Sequence, residues 1–515
     1  MTDNEVENLL NISSELILFG GTGDLAHRKI FPGLYNLISQ NQLPEEFSIF
    51  PIGRSYKNNK EYKEGMYKAV KEHSRFEIKD KNWQRLADRI HYQRFNFKDD
   101  SGYEKLKKAL SKNKGDRIFY LAVAPDFFGE IVEKLNSHNL IKSVDGEARL
   151  VIEKPFGHDL QSARKLNTKI RKVFPEDNIY RIDHYLGKEM LQNILVIRFA
   201  NIFFEPIWNN KYIDNIQIIS SEKSGVKERG NYYDKAGALK DMMQNHMLQL
   251  LTLTAMEPPG TMATESIRNE KVKVLQALMD FHPENIEDYV IRGQYGAGEV
   301  DGEKVKGYRE EPRIDSSSGT ETFVALKTYI HNLRWDGVPF YIKTGKRLTK
   351  KSTEIIVEFN SRPHPSYLKK YPGLKSNLLI IRIQPLEGVC FQFNGKEPGT
   401  HQNIIPVQMD FCQNCHIDNN SPEAYERLIL DMIKGDPTLF TRWDEVEYSW
   451  KFIDRIAEAW DKFDPDFPNY SAGSRGPEAS GKLLKKDGRK WWHINPHNMN
   501  GRGFRANCAL NQEEE

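Results

Sequence analysis

The sequence predicts an α/β domain followed by a larger α+β domain whose sheet is mainly antiparallel. Two textures and one junction predict it. Up to residue 187, short continuous apolar runs alternate with helix-like segments, as expected of a parallel sheet whose strands are buried on both faces. From residue 188 onward, strand-like runs follow one another without helices between them, which indicates antiparallel pairing. At the junction, Arg181-Ile182-Asp183-His184-Tyr185-Leu186-Gly187-Lys188-Glu189 sets an acid, an imidazole, a phenol and an ammonium beside a helix-like segment. The expected division is a tail over 1–13, a first domain over 14–187, a second over 188–500 and a polar tail over 501–515.

The first strand covers 16–19 and runs into Gly20-Gly21-Thr22-Gly23-Asp24-Leu25-Ala26. A helix then begins, with Leu25, Ile30, Leu34, Leu37 and Ile38 at roughly helical spacing. Read from Gly21 the turn is G-x-G-x-x-A, a variant of the Rossmann dinucleotide fingerprint. One glycine permits the tight turn, the next lets a pyrophosphate approach the backbone, and Ala26 keeps helix close to strand. The second strand, 47–52, ends at Gly53-Arg54-Ser55. NAD sites usually carry an acid at this strand end to hold the ribose 2′-hydroxyl. Arg54 suits a 2′-phosphate instead, so the residues predict NADP.

Two further buried runs follow, 117–123 and 149–152, and the second ends in Glu153-Lys154-Pro155-Phe156-Gly157. Ligands of open α/β sheets sit beyond the carboxyl ends of the strands, which places Lys154 at the nicotinamide end. Pro155 keeps Lys154 extended and makes a cis bond accessible. After a strand-like run at 178–180 comes the junction motif. A helix start preceded by Gly187 and Lys188 is an anion site, because free backbone N–H groups and the helix dipole point at the ligand. His184, Tyr185 and Lys188 add side-chain donors. For an isolated Asp-His-Tyr triplet a solvated surface turn is the commoner outcome, so the rest of the chain decides.

In the second domain strands are expected over 216–220, 322–330, 353–359, 378–384 and 389–393, and helices over 237–256 and 422–433. Asp241-Met242-Met243-Gln244-Asn245-His246 interrupts an otherwise apolar helix. Spaced four apart, Asp241 and Asn245 share an α-helical face, with His246 toward a neighbouring one. A lone histidine in such a helix is more often a hydrogen-bonded core residue. Several polar groups clustered here point instead to a cleft wall. A buried imidazole needs a partner to fix its tautomer, and Asp183 is a candidate.

Bulk composition excludes several classes. Lysine plus arginine minus aspartate plus glutamate is 74 − 72 = +2, which argues for no nucleic-acid partner and no membrane surface. Lys105, Lys107, Lys108, Lys112 and Lys114 read as a solvated helix face. The acidic N-terminus is no signal peptide, no apolar run spans a bilayer, and 4 cysteines form no disulfide framework, so a cytoplasmic location is expected. Cys412-Gln413-Asn414-Cys415-His416 fits a haem-attachment pattern, but a loop with incidental thiols is the preferred reading without an export signal. No Cys/His/carboxylate set has metal-ligand spacing.

Together the segments resemble the glucose-6-phosphate dehydrogenase family, in the family's order, over 14–492. The resemblance rests on the glycine turn, Glu153 to Gly157, Arg181 to Glu189 and Asp241 to His246. It continues in Gly345-Lys346, Arg382-Ile383-Gln384-Pro385 and Pro422-Glu423-Ala424-Tyr425-Glu426-Arg427-Leu428. It implies oxidation of D-glucose 6-phosphate to 6-phospho-D-glucono-1,5-lactone with hydride transfer from C1 to NADP+, the first step of the oxidative pentose phosphate pathway. His246 then resembles the general base and Asp183 the carboxylate that orients it. Lys154 resembles the lysine between nicotinamide and sugar. His184, Tyr185 and Lys188 look like the 6-phosphate clamp, with Lys346 a further ligand, and Glu222 and Asp241 match positions that bond sugar hydroxyls. Gly20, Gly21, Thr22, Gly23, Asp24, Leu25, Ala26, His27, Arg54 and Lys154 match the NADP site. His27 stands where a lysine is common, and Lys240 where an arginine is. A second, structural NADP site of some animal members is not carried over, since Ser352, Ile356 and Cys390 lack its basic and aromatic groups. The family implies a homodimer or homotetramer.

Overall fold

The computed structural model describes residues 13–110, 115–143, 145–360, 366, 370–371, 374–400, 403–413, 422–462 and 466–493. The expected tail over 501–515, all but residue 13 of the tail over 1–13, and Lys112, Lys114, Asn414, Cys415 and His416 lie outside them. The chain divides into two compact units. The first is Met1–Glu189 with Pro259–Asn269 and Pro422–Glu447; the second is Met190–Pro258 with Glu270–Ser421 and Tyr448–Glu515.

Continuous apolar runs form the first unit's sheet. Its order is Phe440–Thr441, Ile179–Ile182, Ala148–Glu153, Asp116–Leu121, Ser14–Phe19, Phe47–Gly53, Gln93–Arg94. The last six are parallel, and Phe440–Thr441 alone runs antiparallel to its neighbour. From the Gln93–Arg94 edge this is the strand order of a doubly wound dinucleotide-binding sheet, with the crevice beyond the carboxyl ends at the Ser14–Phe19/Asp116–Leu121 switch point. In that register Leu16 lies between Ile49 and Ile118.

The Ala424–Lys434 helix closes one side of this core with Leu428, Ile429 and Ile433, each at most 1% exposed. Burying each such side chain stabilises by roughly 1.5–3 kcal/mol. Its Glu426 accepts a bidentate pair of bonds from Arg75 at 2.7 and 2.8 Å and a third from Asn36 at 2.9 Å. A buried carboxylate is tolerated there because donors surround it.

Consecutive strands form the second unit's eight-stranded sheet. The order is Ile404–Cys412, Gly388–Lys396, Leu378–Gln384, Ser352–Phe359, Ile213–Ser221, Phe340–Gly345, Phe323–Thr328, Val290–Gly293. All neighbours are antiparallel except Ile213–Ser221 and Phe340–Gly345. The Leu248–Ala255 helix ends with its carbonyls satisfied by buried donors, as helix ends require. Arg198 donates to Leu253 O and Met256 O, Trp208 to Thr254 O and Trp335 to Ala255 O. Burial lowers the Arg198 pKa to about 9, and its pairing with helix carbonyls makes the position structural. Among the described residues no helix is long and apolar enough to cross a membrane.

Candidate active site

In the first unit the glycine turn is shaped by what leaves no room for a side chain. Gly20 takes φ +82°, and a Cβ there would lie 2.2 Å from Ala122 O. The Gly20 and Gly21 amides both donate to Ile52 O, at 3.1 and 2.9 Å, and Gly23 N donates to Gly20 O at 2.9 Å. Tyr62, fully buried, donates to Gly21 O at 2.7 Å from below. The turn is therefore fixed on the second strand, and the helix that follows starts against bare backbone, the arrangement a pyrophosphate needs. The helix widens into a π turn over Ala26–Ile30. Thr22 packs on Gly53, where a Cβ would stand 2.5 Å from it, so Arg54 emerges exposed at the strand end beside the turn. His27 Nδ1 donates to Gly23 O at 2.8 Å, and its Nε2 shares a hydrogen bond with Tyr56 OH at 3.0 Å. Asp24 pairs with Arg28 at 2.7 Å on the surface.

Lys154 follows the Ala148–Glu153 strand directly and precedes a cis Pro155. One strand over, Ile179–Ile182 leads into Asp183. Asp183 Oδ1 accepts the Tyr185 amide at 2.9 Å, and Asp183 O accepts the Leu186 amide at 3.0 Å. That local turn is typical of aspartate. It buries Asp183 and Tyr185 and leaves His184 and Lys188 half-buried. Lys188 Nζ stands 4.0 Å above the Tyr185 ring, and the His184 and Tyr185 rings meet edge to face at 5.0 Å. Gly187 fits against the Ala424–Lys434 helix, where a Cβ would come within 2.7 Å of Ala424 O. Arg181 plays a separate, structural part. Fully enclosed, it donates to Glu176 at 2.6 Å and Asn167 at 2.8 Å and so anchors the strand.

In the second unit the polar helix is entered through Gly237, at φ +63°, ψ −178°. Only glycine adopts this region readily, and a Cβ would lie 2.2 Å from Glu321 Oε1. Glu321 caps the next helical segment by accepting the Leu239 amide at 2.9 Å, and burial raises its pKa to about 7. Gly237→Ala is expected to cost on the order of 1–3 kcal/mol from backbone strain alone. A thermal melt beside a turnover assay checks this, with a lower Tm and a lower kcat expected together.

Leu239–Met247 is a π-helix, in which Leu248 N reaches back to Met243 O. This changes the expected faces. In an α-helix residue i+5 lies about 140° around the axis from residue i. The wider π turn, with i→i+5 hydrogen bonds, brings it back toward the same side. Asp241 and His246 are accordingly buried, at 3% and 0% exposure, while Asn245 is half-exposed and bonds back to Lys240 O at 3.1 Å. The π turn keeps Asn245 beside Asp241, as expected, and brings His246 round toward them, so only the expectation that His246 turns aside changes. Tyr232 OH donates to Asp241 Oδ1 at 3.2 Å, and Arg229 lies 3.8 Å from it.

Glu222 and Lys346 meet because their strands form the sheet's parallel pair. Ser221 is in register with Gly345, so the next residue of each emerges at the same end. They form an ion pair, Lys346 Nζ lies 4.9 Å from the Tyr233 ring, and Tyr470 OH holds Lys346 O at 2.8 Å. Sequence reasoning missed these supports: Tyr232, Arg229, Tyr233 and Glu321. No sequence signal separates such residues from ordinary core aromatics and surface charges.

Residues 17–193 match the family described as glucose-6-phosphate dehydrogenase, NAD binding domain, and residues 195–492 match glucose-6-phosphate dehydrogenase, C-terminal domain. The chain is 47% identical over 485 residues to a glucose-6-phosphate 1-dehydrogenase of Bacillus subtilis (strain 168), covering 93% of this chain and 98% of the relative. A glucose-6-phosphate 1-dehydrogenase of Chlamydia muridarum (strain MoPn / Nigg) is 46% identical over 490 residues, covering 92% and 96%. Among solved structures, a glucose-6-phosphate dehydrogenase in complex with its substrate glucose-6-phosphate aligns with a TM-score of 0.85 at 34% identity, covering 94% of this chain and 99% of that one. A glucose-6-phosphate 1-dehydrogenase from Mycobacterium avium aligns with a TM-score of 0.80 at 33% identity, with 94% and 99% covered.

Proposed function

The chain belongs to the glucose-6-phosphate dehydrogenase family, and on that footing we propose how its residues divide the work. The reaction is oxidation of D-glucose 6-phosphate at C1 to 6-phospho-D-glucono-1,5-lactone, with NADP as cofactor. Bound NADP+ supplies the hydride acceptor. His246 takes the proton of the 1-hydroxyl as the C1 hydride leaves, and Asp183 orients the imidazole and stabilises the imidazolium. Lys154, at the carboxyl end of its strand, would stand between the nicotinamide and the sugar when both are bound. His184, Tyr185 and Lys188 hold the 6-phosphate, with Lys346 a further ligand. Glu222 and Asp241 bond sugar hydroxyls. Gly20, Gly21, Thr22, Gly23, Asp24, Leu25, Ala26 and His27 cradle the pyrophosphate, and Arg54 takes the 2′-phosphate.

One observation carries the reading. Within a single turn, Asp183 accepts the Tyr185 amide and Lys188 caps the Tyr185 ring, so an acid and an ammonium are both fixed on the same buried phenol residue. A solvated surface turn would not bury Asp183 and Tyr185. Cofactor choice is tested at Arg54. Arg54→Ala is expected to raise the KM for NADP by about 10–100-fold, the worth of a charge-assisted contact, and to change the KM for NAD by no more than about twofold. Initial rates with each cofactor measure this, and an unchanged NADP KM removes Arg54 from the role.

The reading extends to a cytoplasmic homodimer or homotetramer. An assembly through the larger sheet is supported by the edge strand Ile404–Cys412, on which Met409 and Phe411 stand 63% and 52% exposed.

A further inference from the structure

Glu153 ends the Ala148–Glu153 strand immediately before Lys154. Its side chain shares a strand face with Val151, two residues back. Val151 lies in the unit's apolar core with Tyr120, Ile182 and Leu428. A carboxylate at the end of such a face is costly, and burial raises its pKa from the ordinary 4.5 to about 7. Two phenols from separate elements offset part of that cost. Tyr120 OH, on the neighbouring strand, donates to Glu153 Oε1 at 2.6 Å, and Tyr425 OH, on the Ala424–Lys434 helix, donates to the same oxygen at 3.1 Å. Parallel register sets Glu153 beside Ile182, so Asp183 follows at the next step. The charged groups that act on Glu153 are Lys154, its chain neighbour, which favours its ionised form, and Asp183, which opposes it. A packing role would be served at less cost by glutamine, whose amide oxygen accepts the same two bonds without carrying charge.

We propose that Glu153 is a positioning residue for the oxidation: anchored by Tyr120 and Tyr425, its carboxylate attracts the Lys154 ammonium and repels the Asp183 carboxylate, fixing the electrostatic setting in which both act. The inference rests on the assignment of Lys154 and Asp183 to the active site. Its pH signature follows from the raised pKa. The stability linked to this carboxyl is fully present below about 4.5 and is lost as the pH rises through about 7, while the charge that supports the reaction appears over the same range. Activity and stability thus move in opposite directions at this residue, as at a site where charge is held for function.

The test uses the full chain with glucose 6-phosphate and NADP over about pH 6 to 9. At about pH 8, Glu153→Gln is expected to lower kcat about tenfold, to leave the KM for the sugar phosphate within about twofold and to melt no lower than wild type. Wild-type kcat across the whole range, or a Tm lowered in step with kcat, makes Glu153 merely structural and overturns the inference. Tyr425→Phe keeps the carboxylate but removes one donor to its ionised form, so it is expected to move the acid limb of the kcat profile to higher pH. A limb that stays in place overturns the inference as well. Lys154→Met separates the two assignments. If it too keeps wild-type turnover, Lys154 leaves the site; if it is impaired while Glu153→Gln is not, the role of Glu153 alone falls.

Discussion

Replacing His246 by alanine is expected to lower kcat for glucose 6-phosphate oxidation by on the order of 10²–10⁴, the usual contribution of a positioned general base. The KM for the sugar phosphate should change only a few-fold, because the residues proposed to bind the phosphate, His184, Tyr185 and Lys188, are left in place. Oxidation of a hemiacetal releases a hydroxyl proton and a hydride together, and the cofactor accepts only the hydride. His246 is the fully buried titratable group of the Leu239–Met247 π-helix, on the side it shares with Asp241. Removing a buried ring also leaves a cavity, so Tm is measured beside kcat. A His246→Gln variant fills most of that space without a base and should be as slow as the alanine variant. Wild-type turnover in either protein would remove His246 from its role.

The second large effect is expected at Lys188, in the proposed phosphate clamp. Lys188→Ala should raise the KM for glucose 6-phosphate by about 10–100-fold, the worth of one or two charge-assisted hydrogen bonds. Turnover of unphosphorylated glucose should be unchanged, since that substrate offers the clamp nothing to hold. The phosphate is remote from C1, so its binding energy can be used to orient the sugar, and part of the loss should fall on kcat as well. Lys188 stands over the Tyr185 ring at 4.0 Å, which holds the ammonium in place. Parallel assays on the two sugars measure the effect, and an equal loss on both would mean that Lys188 shapes the turn and does not bind phosphate.

The first sheet was legible because continuous apolar runs and a glycine turn are local signals. The Ser14–Phe19 strand and the turn at Gly20 need nothing distant to be read. The helix Ala424–Lys434 was visible as a helix, but its return to the first unit was not, because an amphipathic face does not name what it packs against. For the same reason Tyr425 could not be linked to Glu153, 272 residues away in sequence. The π-helix escaped because a π turn carries no residue signature of its own, so the α period was assumed. The strand Phe340–Gly345 escaped because it carries Lys343, a buried lysine whose pKa burial lowers to about 7. Ile404–Cys412 escaped because it carries Pro406, which a sheet accepts at an edge. The residues proposed for chemistry were legible only through their company: Asp183 to Lys188 alone could have been a surface turn, and burial of Asp183 and Tyr185 argues against one.

The most direct measurement follows absorbance of the reduced nicotinamide with glucose 6-phosphate and with glucose, each run with NADP and with NAD. The greatest kcat/KM is expected for glucose 6-phosphate with NADP. The phosphorylated sugar should be preferred by at least about tenfold, the least that one charge-assisted phosphate contact supplies. A phosphorylated-to-free sugar ratio near one would contradict the phosphate-clamp assignment and with it the proposed reaction.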